Sequence, residues 1–479
     1  MTALWTVAEV VQATGGRPEG FAPDLAGDLP LNAVSIDSRE IPEGALFVAI
    51  KGERLDGHAF VAQALSSGAS AAIVSEDHFK AHGGERLIVV PDTLRALERL
   101  GQAARTRSRA FVVAVTGSAG KTTTKEAIRT VLQAAGTTHF SVKSFNNHWG
   151  VPLMLARLPR EADFAVFEIG MNHAGEITPL TRMVRPHAAV ITTVAAAHLE
   201  FFASVAEIAA AKAEIFLGLE PGGTALLNAD HDWLHILFAH ARAADVARVV
   251  TYGFDESADW RIGKVWTDGD TSRALIQHGA GEIDLAIEAP GRHMVANAVA
   301  ALVIADLAGV ERKVALAALG DFGAPEGRGQ TIRLGPASKP LLLIDESYNA
   351  NLASMAATLA LFAEAPKPSG RKVLVLGDML ELGPQGPELH AGLTDAVLAT
   401  RAEVIHLVGP SMQALANALS ARTAGLPLAP EVTPWPSVDE ALAPVLAGLA
   451  YGDAVMVKGS NGVKLGQLVN AISERFKSA

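Results

Sequence analysis

Cysteine is absent from the 479 residues. That removes disulfides, thiolate metal sites and a cysteine nucleophile from consideration, and it fits a reducing compartment. Positive charge is in deficit: 40 Lys and Arg stand against 51 Asp and Glu, a formal net charge of -11. A chain so balanced lacks the basic face that non-specific nucleic-acid binding needs, so no nucleic-acid partner is expected. Long apolar runs are missing too. The most apolar long stretch, Met294 to Gly309, is alanine-rich and carries Asn297 and Asp306. It falls short of the ~20 residues of a membrane span and reads as a buried helix. The opening MTALWTVAEVVQATGG lacks the basic region, long apolar core and small-residue cleavage site of a secretory leader. A cytoplasmic protein with no membrane span is the expectation.

What is present suits a packed globular chain: 49% hydrophobic and 19% charged residues. The length calls for two to four domains. Short apolar runs at Val34–Ile36, Ala45–Ile50, Ala71–Ser75 and Leu87–Val90 mark a small α/β domain over 1–108, leaving through an Arg-rich helix around Arg95–Arg109. Phe111–Val115, Phe164–Phe167 and Ala188–Val194 read as buried parallel strands of a second domain, 109–325. Between about 222 and 290 the texture turns β-rich, as an antiparallel extension of that sheet would. The Gly/Pro-rich GDFGAPEGRG, Gly320–Gly329, reads as a hinge. Beyond it Pro340–Ile344, Lys372–Leu376, Val404–Val408 and Ala454–Val457 alternate with helical material, which gives a Rossmann-like third domain, 326–479. The expected fold is α/β with three domains, the middle one a parallel-sheet ATPase of phosphate-loop type.

Gly117-Ser118-Ala119-Gly120-Lys121-Thr122-Thr123 follows the strand ending at Val115 and opens a helix carrying Ile128, Val131 and Leu132, with Gly136 expected as its left-handed end residue. Small residues let backbone N–H groups approach an anion, and the helix N-terminus adds positive potential. Lys121 can reach outer phosphates and the Thr122 hydroxyl can ligate Mg²⁺. Val115 stands where the longer motif has glycine, so this is the shortened G-x-x-G-K-T form, to be weighed against an ordinary glycine-containing turn.

Glu168 ends one strand and His198 follows another, so both are expected near Lys121, where ligands meet parallel sheets. Each has a plain alternative, a solvated strand end or a hydrogen-bonded core histidine; together they suggest a Mg²⁺ or Mn²⁺ site. Ser204 and Glu207 mark a capping box. On the helix that follows, Lys212 shares a face with Val205, Ile208, Ala209, Ile215, Phe216 and Leu219. Either its ammonium snorkels to water, or it is a desolvated lysine of depressed pKa, able to capture CO₂ as a carbamate and so become an oxygen ligand.

Together these residues resemble the Mur ligase family, whose motifs are a G-x-x-G-K-T loop, a strand-end Glu, a downstream His and a carbamylated Lys on the next helix. The resemblance spans essentially the whole chain. Within the family, DSR with GALFVAIKGERLDGHAF, FNNHWGVPLMLARL, FEIGMNHAGEI, IDESYNAN, VLGDMLELG and VKGSNGVKLGQLV are similar to the branch that adds D-alanyl-D-alanine. IDESYNAN, Ile344–Asn351, discriminates best, because the branch adding the third residue resembles D-Y-A-H-T-P-D there and carries a D-N-P-R motif absent here. Leu352 stands where that branch has proline, a local change of turn.

The resemblance implies an ATP- and Mg²⁺-dependent ligase joining D-alanyl-D-alanine to a UDP-N-acetylmuramoyl-tripeptide through an acyl phosphate, acting as a monomer. It makes Lys121, Glu168, His198 and Lys212 the candidate catalytic residues, with Thr122, Glu168, His198 and carbamylated Lys212 as metal ligands. Residues 117–123, Asn297, Arg328 and Asp345 are then ATP contacts. Ser38 and Arg39 resemble uridine-nucleotide contacts, against the plain reading of a polar turn. Asn146, Asn147, Tyr348, Asn349 and Asn351 complete the substrate set. A folylpolyglutamate synthetase, a phosphate-loop kinase or switch, and an inactive nucleotide scaffold are the rivals. IDESYNAN weighs against the first, the Lys212 helix and third domain against the second, and the intact Lys121, Glu168, His198 set against the last.

Overall fold

The computed structural model describes residues 3–22, 27–52, 55–142, 144–197, 199–365 and 368–477. Among these, three main sheets succeed one another along the chain. The first contains β1 (Arg17–Glu19), β2 (Ala33–Ser35), β3 (Ala45–Val48), β4 (Ala69–Ser75) and β5 (Leu87–Val90), ordered β1-β5-β4-β3-β2. It is parallel except at β1. Helix α1 (Thr93–Arg107) leads out of it. Asp92 caps its first turn, and Ala96, Leu97, Leu100 and Ala104 form its buried stripe at helical spacing. In its last turn Arg105 is buried and donates to the carbonyls of Val184 and Arg185, tying the first sheet's exit to the next domain.

The central sheet contains β6 (Phe111–Thr116), β7 (Thr138–Phe140), β8 (Phe164–Glu168), β9 (Ala188–Ile191), β10 (Thr224–Asn228), β11 (Arg248–Gly253), β12 (Trp260–Asp268), β13 (Thr271–His278) and β14 (Gly281–Ile287). Its order is β14-β13-β12-β11-β10-β9-β6-β8-β7. Apolar residues such as Val112 to Val115 are buried on both faces, as continuous runs in parallel strands should be. The extension expected over 222–290 begins later: β10, β11 and the start of β12 continue the parallel order, and only the pairs β12–β13 and β13–β14 are antiparallel. Strand β9 stops at Ile191, short of the expected Val194, because the backbone beyond it serves the phosphate loop instead of a neighbouring strand.

Three helices bear on the site: α2 (Lys121–Gln133), α3 (Val205–Ala213) and α4 (Arg292–Leu307). Helix α4 is buried continuously from Met294 to Ala305, as its lack of a polar face requires. No helix among the described residues is long and apolar enough to cross a membrane. Two local expectations change. Gly136 is not a left-handed end residue; a Cβ there would lie 2.7 Å from Asp163 Oδ2, so close approach demands the glycine. At α3, Ser204 Oγ accepts from Glu207 N, but the Glu207 carboxylate accepts from Ala203 N, one residue upstream of a reciprocal box.

The third sheet is ordered β15-β16-β20-β17-β18-β19: β15 (Gln330–Leu334), β16 (Leu341–Glu346), β17 (Lys372–Gly377), β18 (Val404–Val408), β19 (Glu431–Trp435) and β20 (Ala454–Lys458). The two edge strands, β15 and β19, bury few residues and lack the apolar runs that mark the other four. Helix α5 (Leu352–Glu364) follows β16 and is capped by Asn351. Leu352 occupies its first helical position, where proline is tolerated because that N–H has no helical partner. The exchange noted in the sequence therefore leaves the turn intact.

Candidate active site

The strand ends of the central and third sheets line one cavity of about 660 Å³. The loop after β6 forms part of its wall. Gly117 has φ +154°, and a Cβ there would sit 2.0 Å from Thr192 Oγ1; Gly120 has φ +80°. Only glycine suits both positions. The segment after β9 holds the loop in place. Ser118 N donates to Thr193 O at 2.6 Å, Ser118 Oγ donates to Ala195 O at 2.9 Å, and Thr192 Oγ1 donates to Ala119 O at 2.6 Å. Thr124 Oγ1 donates to Asn297 Oδ1 at 3.0 Å, which seats α4 beneath the loop. Lys121 folds back, its ammonium donating to Gly117 O at 2.8 Å. Burial lowers its pKa, Glu168 and Glu381 oppose the shift, and Arg328 adds to it.

Glu168 is buried at the end of β8. It accepts from Thr122 Oγ1 at 2.8 Å and from Asn146 Nδ2 at 2.9 Å. A carboxylate and a hydroxyl thus converge beside the phosphate loop. Both are hard oxygen donors, which suits Mg²⁺. No group of three His, Asp or Glu able to hold a metal alone occurs among the described residues. Mg²⁺ keeps several waters and binds through one or two carboxylates and substrate phosphates. His198 lies outside the described residues.

Lys212 is 1% exposed and does not line the cavity. Burial, with Lys121 adding, holds its pKa well below the ordinary lysine value. Its burial on α3 agrees with the helical spacing read from the sequence and leaves little room for snorkelling.

The third domain supplies the opposite wall. Arg328 lies over the Tyr348 ring, 4.3 Å from its centroid. Asn351 Oδ1 accepts from Ser354 N, while its Nδ2 donates to Ser118 O at 2.9 Å. One side chain thereby caps α5 and bridges to the phosphate loop. Asn349 also lines the cavity, though its Oδ1 accepts from Ala350 N. Asp345 turns away; its Oδ1 accepts from Ser347 N and Oγ, and the adjacent Glu346 faces the cavity instead. Asn147 Oδ1 accepts from Trp149 N and Gly150 N where the helix Gly150–Ala156 begins, and Asn147 is not part of the lining. Ser38 and Arg39 belong to a turn after β2, away from the cavity, where the Asp37 carboxylate accepts from Arg39 N and guanidinium.

Sequence reasoning missed Glu346, Lys458, Glu381, Asp230 and His231, all of which line the cavity. A usable signal existed for Lys458, which ends the apolar strand β20 as Glu168 ends β8. His231 has both ring nitrogens buried without a partner, and burial holds its pKa down at about 4.

The glycine loop on a parallel sheet, the oxygen pair beside it and the facing third domain define a three-domain α/β protein of the phosphate-loop class. Family models agree in all three parts: the Mur ligase family catalytic domain matches residues 30–108, the Mur ligase middle domain 115–305, and the Mur ligase glutamate ligase domain 327–461. The chain belongs to the Mur ligase family. It is 36% identical to the UDP-N-acetylmuramoyl-tripeptide–D-alanyl-D-alanine ligase of Escherichia coli (strain K12), covering 86% of this chain and 88% of that one. The same-named ligase of Bacillus subtilis (strain 168) is 30% identical, covering 98% and 97%. Among solved structures, MurF from Acinetobacter baumannii superposes with TM-score 0.83 at 29% identity, covering 98% and 99%.

Proposed function

We propose that this chain is a cytoplasmic ATP- and Mg²⁺-dependent ligase that joins D-alanyl-D-alanine to UDP-N-acetylmuramoyl-tripeptide in peptidoglycan precursor synthesis. The observation that carries the reading is the bond from Asn351 to the Ser118 carbonyl. It brings IDESYNAN, the segment most particular to this branch of the family, onto the loop built for phosphate. Domains 1–108, 109–325 and 326–479 then bind the UDP-substrate, ATP and the incoming dipeptide.

The tripeptide's terminal carboxylate attacks the γ-phosphorus, the bond to the β-phosphate oxygen breaks, and ADP leaves. The dipeptide amine then attacks the acyl carbon of the resulting acyl phosphate, loses a proton, and inorganic phosphate departs. The first step brings two anions together, so charge neutralisation dominates it. The loop N–H groups of residues 117–123 and the Lys121 ammonium face the transferring phosphate, and Arg328 approaches from the third domain. Mg²⁺, when bound, neutralises phosphate charge; Thr122, Glu168 and His198 would hold it, with Asn146 orienting Glu168. Asn297 takes the adenine side in this reading, and Asp345, whose carboxylate holds the Ser347 turn, acts on the closure side through that turn and not by direct contact. Tyr348, Asn349 and Asn351 flank the dipeptide, Asn147 supports the loop beside the tripeptide, and Ser38 and Arg39 meet the uridine nucleotide. Enclosure between the two domains protects the acyl phosphate from water.

Lys212 completes this reading as a carbamate. Burial disfavours the charged form of this amine, and the neutral form can bond to CO₂ and release a proton. The carbamate would supply an oxygen donor for Mg²⁺. Phosphate release from ATP, assayed with each acceptor omitted in turn, tests the function. Release that needs both the UDP-tripeptide and D-alanyl-D-alanine is expected. Release indifferent to the dipeptide, or supported equally by a single amino acid, overturns it.

A further inference from the structure

Lys458 and Glu346 end the adjacent parallel strands β20 and β16 and face each other in register. Lys458 is 1% exposed and Glu346 is 8% exposed, yet both line the cavity. The Lys458 ammonium donates to Glu346 Oε2 at 3.2 Å and to Asn349 O at 3.2 Å. An ammonium has three donors, so one remains. Glu346 makes this corner hostile to a multiply charged phosphate, whereas a single carboxylate can take the third donor without strong repulsion. The wall beside it is built of small side chains, Ala350, Ala353 and Ala357. From Asn349 to Asn351, whose amide touches the phosphate loop, the chain spans at most roughly 7 Å. That is also about the length of a dipeptide.

We propose that Lys458 binds the C-terminal carboxylate of the incoming dipeptide, with Glu346 as the positioning residue that holds the ammonium in place. The inference rests on the ligase reading above and adds the residue that anchors the acceptor. The dipeptide then lies with its methyl groups along Ala353 and Ala357 and its amine toward the acyl phosphate.

The test needs no variant to begin. Intact protein is assayed for phosphate release with ATP, UDP-tripeptide and either D-alanyl-D-alanine or its C-terminal amide. The amide should show a KM at least roughly tenfold higher, the loss expected when a buried charge contact goes unmet. Lys458→Met should raise the KM for D-alanyl-D-alanine by a similar factor, leave the KM values for ATP and UDP-tripeptide within about threefold, and use dipeptide and amide alike. Lys458→Arg should recover part of the discrimination. Wild-type protein that uses the amide as well as the dipeptide overturns the proposal, as does a folded Lys458→Met enzyme that still tells them apart. Absence of any dipeptide dependence in the wild type overturns the ligase reading itself and this inference with it.

Discussion

The central and third domains both bury lysines, and two of those in the central domain stand apart from the rest. In the central domain Lys125 gives its ammonium to the Ser141 carbonyl and the Glu126 carboxylate, whereas Lys121 reaches only a loop carbonyl and the buried Lys212 has no hydrogen bond or ion pair among the described residues. Burial disfavours the charged form of both, and Lys121 adds to the effect on Lys212. In the third domain Lys372 gives its ammonium to the carbonyls of Phe362, Ala363 and Ala365 at the end of α5, and Lys458 has Glu346 and Asn349. An ammonium left unpaired in a protein interior is costly unless something arrives to compensate it. The contrast separates two lysines near the phosphate loop that are short of partners from lysines largely satisfied before any ligand binds.

The strongest way to break this contrast is Lys121→Ala. It should lower turnover at least hundredfold, about 3 kcal/mol of transition-state stabilisation, without lowering the melting temperature. A variant keeping more than roughly a tenth of the rate would leave the loop lysine without its phosphate role.

Lys212 divides activity from stability. Lys212→Met should be nearly inactive yet melt higher than the parent near neutral pH. Burial holds the folded-state pKa well below the ordinary value of 10.5, so between the two values the unfolded chain binds a proton that the folded chain does not. Stability of the parent therefore rises with pH until the unfolded lysine also loses its proton, and the advantage of methionine should shrink as pH rises toward about 10 in bicarbonate-free buffer. A gap that stays constant would mean a solvated ammonium. In Lys212→Ala, a short-chain carboxylic acid should restore some activity and an amine none, because the missing part is an oxygen ligand.

Asn351 tests the bridge between the two walls. Asn351→Ala should cost about 1 kcal/mol for the lost helix cap, plus roughly tenfold in turnover. Asn351→Asp keeps the capping oxygen but cannot donate to the Ser118 carbonyl. It should retain stability and lose turnover, and a fully active Asp variant would reduce this residue to a cap.

The smallest effect is expected far from either wall. Arg39→Ala should raise the KM for UDP-tripeptide several-fold and change stability by less than ~0.5 kcal/mol, since its side chain is 82% exposed. Equal changes for all three substrates would remove the uridine-contact role.

Much of this was open to reading from the chain alone, because the relevant physics is local. A glycine-bearing turn between an apolar strand and a helix dictates its own backbone, so the geometry of Gly117 to Thr123 follows from contiguous residues. Helical spacing sufficed to bury Lys212, and strand ends sufficed to bring Glu168 beside Lys121. Other features depend on which segments meet. Strand alternation turns Asp345 inward and Glu346 to the cavity, a choice of parity that only packing makes. The Glu346–Lys458 pair joins residues 112 apart, and the Asn351–Ser118 bond residues 233 apart. Asn147 looked like a substrate contact until the helix after it claimed its side chain. Periodicity, capping and turn chemistry belong to the chain by itself; register and the pairing of distant side chains exist only once the sheets have packed.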